Sequence, residues 1–107
     1  MRSGRPVPLD DLERRAAEVS RLLGMLANER RLLLLCHLTE RREASPGELA
    51  DIVGLSHSAL SQHLGKLREE GLVTVRREGT TMHYRVADRR VARLLVTLRD
   101  LFCRAPA

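Results

Sequence analysis

Two helix starts and two helix stops follow one another between Ser45 and Gly71, and this punctuation constrains the fold more than any other feature of the chain. Ser45 is placed to cap backbone N–H groups, Pro46 suits a first helical position, and Glu48 completes a capping box. Gly54 ends that helix. Ser56 supplies a new cap two residues later, and Leu60, Leu64 and Leu67 recur at helical spacing until Gly71. Two helices joined by so tight a turn predict a helix-turn-helix.

Projected at about 100° per residue, the second helix places Ser58, Ser61, Gln62, Gly65 and Lys66 opposite its leucines, with His57 and His63 flanking them. Small hydroxyls and an amide on an exposed face fit a helix that lies in the major groove and meets base edges without bulky clashes. A solvated polar face is the plain alternative, and the next segment argues against it. Val73 and Val75 alternate with Thr74 and Arg76; Met82, Tyr84 and Val86 alternate with His83 and Arg85; Gly79 lies between. This is a hairpin pattern. Around its tip, Arg76, Arg77, Thr80 and Thr81 offer guanidiniums and hydroxyls that suit phosphate oxygens or a minor groove. The expected DNA-contacting set is Ser56, His57, Ser58, Ser61, Gln62, His63, Lys66, Arg76, Arg77, Thr80 and Thr81.

The rest of the composition agrees with a small DNA-binding domain. With 107 residues there is room for one domain, 1–107, and the formal net charge of +5 suits a polyanionic partner. The aromatic residues are Tyr84 and Phe102 alone, too few for a base-stacking platform, so duplex DNA is the expected target rather than RNA or single strands. No Gly-rich phosphate loop, nucleophile elbow or metalloprotease helix is present, so neither an enzyme nor a cofactor is expected. The longest unbroken apolar run, Leu32 to Cys36, is far short of a membrane span, and no apolar stretch follows Arg2 and Arg5. A cytoplasmic location is expected.

Helices are predicted on both sides of the DNA-reading unit. Residues from about Leu9 to Ala27 carry Leu12, Ala16, Val19, Leu22, Leu23 and Leu26 on one stripe. Asn28 caps a second helix with Leu32, Leu33, Leu35, Cys36 and Leu38 on its buried side. A last helix starts near Asp88 with Val91, Leu94, Leu95, Leu98, Leu101 and Phe102 as its stripe. The expected fold is therefore mainly α with a small β-hairpin, a winged helix-turn-helix of four helices, two strands and a final helix. The outer helices carry more apolar surface than so small a core needs, which predicts a homodimer on an inverted-repeat operator.

The element order and the Leu-Ser-x-Ser-x-x-Ser-x-His-Leu-x-x-Leu pattern from Leu55 to Leu67 resemble the ArsR/SmtB family of bacterial transcriptional repressors over nearly the whole chain. Many members sense metals at two sites. The segment matching the first, Ala44 to Asp51, has no cysteine; at the second, Asp88 is followed by a helix without histidine. No metal site of those kinds is expected. Cys36 and Cys103, the two cysteines present, resemble the pair of the BigR/SqrR branch, in which such thiols respond to persulfides and related oxidants. The resemblance implies a dithiol that binds DNA when reduced and releases it when bridged, with an inorganic or low-molecular-weight persulfide or polysulfide as effector. A thiolate attacks sulfur or oxygen, and the second thiol resolves the product. Arg104 and Arg99 are placed to favour a thiolate at Cys103. Three alternatives stay open: two ordinary buried cysteines, an arsenite or soft-metal sensor using the same thiols, and an effector-independent DNA-binding regulator.

Overall fold

The helix starts expected from Asn28, Ser45, Ser56 and Asp88 are all made. A computed structural model describes residues 8–103. In chain order the elements are α1 (Asp10–Arg14), α2 (Ala16–Leu26), α3 (Glu29–Arg41), α4 (Pro46–Val53), α5 (His57–Glu69), β1 (Val73–Glu78), β2 (Thr81–Val86) and α6 (Arg89–Phe102). Asn28 Oδ1 accepts from Arg31 N at 3.1 Å, and Asp88 Oδ1 from Arg90 N at 2.8 Å. In the capping box of α4, Ser45 Oγ accepts from Glu48 N at 3.3 Å while the Glu48 carboxylate accepts from Ser45 N at 2.9 Å. Gly54 then turns the chain at φ 68°, a left-handed conformation that costs a glycine little.

The core lies where α3, α4, α5, α6 and the hairpin meet. Leu34, Leu35, Leu38, Leu49, Leu60, Leu64, Leu67, Val73, Val91 and Leu95 are fully buried there. At about 1.5–3 kcal/mol for each such side chain, this layer fixes the orientation of α5, whose three buried leucines leave its opposite face to solvent. The hairpin is antiparallel with Val75 opposite Tyr84 and Val73 opposite Val86. Ala44, between α3 and α4, extends it by one bridge: Ala44 N donates to Tyr84 O at 3.0 Å and Tyr84 N to Ala44 O at 2.8 Å.

Two expectations are corrected. The single N-terminal helix is broken at Arg15 (φ −106°, ψ 12°) into α1 and α2. No residue of α1 is buried, so no packing holds the two pieces in line. Of the expected stripe, Leu26 is buried and Leu22 half-buried, whereas Leu12 and Leu23 are exposed. On α3, Leu35 and Leu38 are buried as expected and Leu32 and Cys36 half-buried, but Leu34 is buried and Leu33 exposed, the reverse of the expected placement of those two. Four consecutive leucines leave the helical phase undetermined; packing against α4 and α6 decides it.

Candidate nucleic-acid interface and thiol cleft

His57, Ser58, Ser61, Gln62 and Lys66 are all exposed on α5, and His63 is half-buried beside them. Ser56 does a different job first: its Oγ accepts from Ala59 N at 3.1 Å, capping α5 and leaving its own O–H free to donate to a phosphate. Thr80, Thr81 and Arg77 are exposed on the wing, and Arg77 makes no ion pair among the described residues. The turn between α4 and α5 and the hairpin after α5 thus leave these side chains, His63 apart, exposed.

Arg76 departs from the expectation of a free phosphate contact. Its Nε and Nη2 donate to the two carboxylate oxygens of Glu43 at 3.1 and 2.9 Å, and Glu78 lies 3.7 Å from its Nη1. The guanidinium holds the Glu43 carboxyl below its ordinary pKa, the hydrogen bond being the main cause. Together with the Ala44–Tyr84 bridge, this pair ties the wing to the end of α3. Sequence periodicity offered no sign of Glu43, because the two partners are 33 residues apart.

The two cysteines, distant in sequence, line one cleft. Cys36 on α3 is half-buried, Cys103 at the end of α6 is exposed, and both are free thiols. The cleft, of about 570 Å³, has apolar walls of Leu32, Leu33, Leu95, Val96, Leu98 and Phe102, with His37, Thr39, Glu40 and Arg99 completing it. Burial pushes the Cys36 thiol above its ordinary pKa, and negative charge at Cys103 and Glu40 adds to the rise.

Arg99, expected to help a thiolate, is instead engaged with carboxylates: it donates to Glu40 across the α3–α6 junction and to Asp100 at 3.0 Å. Arg104 lies outside the described residues. Leu98, in the last helix's apolar stripe, is half-buried and lines the cleft within its own chain. Among the described residues no group of three His, Cys, Asp or Glu side chains is arranged to hold a metal ion.

A helix-turn-helix with an exposed polar recognition face, followed by a hairpin wing, defines a winged-helix DNA-binding regulator. Residues 28–75 match the family model described as bacterial regulatory protein, arsR family. The chain is 43% identical over 102 residues to the transcriptional activator HlyU of Vibrio cholerae, covering 95% of this chain and 94% of that one. It is 44% identical over 97 residues to the biofilm growth-associated repressor of Agrobacterium fabrum, covering 91% and 82% of the two chains. The crystal structure of the transcriptional repressor BigR from Xylella fastidiosa superposes with a TM-score of 0.82 at 40% identity, covering 92% of this chain and all of that one. The protein belongs to the ArsR family of bacterial transcriptional regulators, DNA-binding proteins rather than enzymes. Among the described residues no helix is long and apolar enough to cross a membrane.

Proposed function

We propose that the protein is a cytoplasmic, homodimeric repressor that holds an inverted-repeat operator when reduced and releases it when Cys36 and Cys103 are bridged. The convergence of both thiols on one cleft between α3 and α6 carries this reading. Their exposures support an order of attack: Cys103, which meets reagent from solvent, attacks, and the half-buried Cys36 resolves. With a hydropersulfide RSSH, Cys103 thiolate takes the outer sulfur and expels RSH; Cys36 then attacks Cys103 Sγ, breaking its bond to the acquired sulfur and expelling hydrogen sulfide. The thiols are oxidised, and the sulfane sulfur is reduced to sulfide. A direct disulfide holds Cα atoms within about 4.4–6.8 Å, so bridging locks α6 against α3.

Unpartnered apolar side chains support the dimer. Leu9 and Leu12 in and beside α1, Leu23 on α2 and Leu101 on α6 are 61%, 50%, 49% and 70% exposed. Pairing of the outer helices about a two-fold axis covers them and sets two α5 helices about 34 Å apart, one turn of duplex. The resemblance to a biofilm growth-associated repressor supports repression as the sign of regulation.

The test is a mobility shift on an inverted-repeat duplex selected from a random pool, with the protein reduced or treated with inorganic polysulfide, hydrogen peroxide or arsenite. Release by polysulfide or peroxide, reversed by dithiothreitol, is expected. Release by arsenite alone makes the protein a soft-metal sensor; release by none makes it effector-independent.

A further inference from the structure

We propose that the cleft between α3 and α6 is a binding site for the apolar organic tail of the sulfur donor, so that the sensor is tuned to alkyl-substituted persulfides and polysulfides over charged peptide ones. The inference rests on the dithiol reading and names the class of molecule that reaches those thiols. Three observations carry it. The volume, about 570 Å³, lies in the range of small-molecule sites rather than packing defects. Its walls are six aliphatic or aromatic side chains, of which Leu33 and Phe102 remain 47% and 82% exposed. The guanidinium that lines it, Arg99, is already matched to Glu40 and to Asp100, so it is not free to pair with a carboxylate-bearing donor such as a glutathione persulfide.

The site also sits where a tail is useful. A donor whose alkyl group rests between Leu33 and Phe102 keeps its sulfur chain beside both cysteines, raising the local concentration of the reacting atoms. With a dialkyl trisulfide, Cys103 thiolate displaces RSS⁻ to give the mixed disulfide Cys103–S–S–R. Cys36 then displaces RS⁻, leaving Cys36–S–S–Cys103, with RSSH and RSH as products. Two thiols are oxidised to one disulfide while the trisulfide is reduced, and the two thiol protons end on the leaving groups.

Each methylene moved from water to an apolar wall gives roughly a fourfold gain in binding, so a propyl group with about half its surface covered gives roughly tenfold. The experiment compares dipropyl trisulfide with glutathione trisulfide, which share the trisulfide chain, measuring bridge formation in the full protein by intact mass spectrometry. Each rate is divided by that of N-acetylcysteine with the same reagent. A normalised preference of about tenfold or more for dipropyl trisulfide is expected, and it should shrink in Leu33→Gln/Phe102→Gln, two exposed positions whose change spares the core. Inert dipropyl sulfide should slow the parent's reaction. No normalised preference, or one unchanged in the double variant, overturns the inference. If inorganic polysulfide still bridges the thiols and releases DNA in that case, the dithiol reading stands without it. If no sulfur reagent bridges them, both fail.

Discussion

Arg31 on α3 joins Glu70 at the end of the recognition helix, Nη1 to Oε1 at 2.8 Å, and the same nitrogen donates to Met25 O at 3.0 Å. The side chains are 13% and 26% exposed, so the pair is largely shielded from water. One cation thus fastens the helix that carries Cys36 to the C-terminal ends of α2 and α5. The bridge proposed at Cys36 would act on the same helix that Arg31 joins to the end of α5.

Removing that cation should therefore cost stability and DNA binding together. Arg31→Gln leaves the Glu70 carboxylate partly buried without its ion pair, a loss of about 1–3 kcal/mol, read by urea unfolding of the reduced protein. Operator affinity should fall as well. Full stability with full affinity in the variant would show that the pair fastens nothing.

The two arginines of β1 should behave differently. Arg77→Ala should weaken binding to all sequences and reduce the slope of log K against log salt by about 1. Arg76→Ala should change that slope less, because Glu43 already compensates its charge. Gln62→Ala, on the exposed face of α5, should instead reduce discrimination between operator and random duplex by about 1–3 kcal/mol. Fluorescence anisotropy across a salt series separates the three effects.

Much of this was legible in the sequence, and the reason is physical. Caps, glycine stops and leucine spacing are local signals, so Ser45, Gly54, Ser56 and Gly71 placed the reading helix, and the Leu55–Leu67 pattern carried the family. Pairings between distant segments leave no such trace. Glu43 with Arg76, Arg31 with Glu70, and Ala44 with Tyr84 depend on how α3 seats against the hairpin and α5. The leucine run at the start of α3 misled for the same reason, as its phase is decided only by tertiary packing.

The cysteines should differ in reactivity. The raised pKa of Cys36 means that its thiolate fraction, and with it its alkylation rate, keeps climbing at pH values above the ordinary thiol midpoint of about 8.5. Iodoacetamide labelling of the reduced protein at neutral pH, resolved by peptide mass spectrometry, should modify exposed Cys103 first. Preferential labelling of Cys36 would reverse the assigned order of attack.

The dimer reading is tested by Leu101→Asp, which places a charge on an exposed apolar position of α6 without disturbing the core. The parent should sediment as a dimer at micromolar concentration. The variant should shift towards monomer and bind a two-half-site operator more weakly than the parent. A monomeric parent contradicts the two-fold arrangement.

The central claim, that bridging Cys36 to Cys103 releases DNA, is tested most directly by following operator release and intact protein mass on the same samples during polysulfide addition. Parent protein should leave the operator in step with formation of the bridged species. Cys36→Ser and Cys103→Ser should each bind DNA as the parent does and stay bound throughout the titration. Release from either single variant at the parent's polysulfide concentration, or a fully bridged parent still on the operator, would contradict the account.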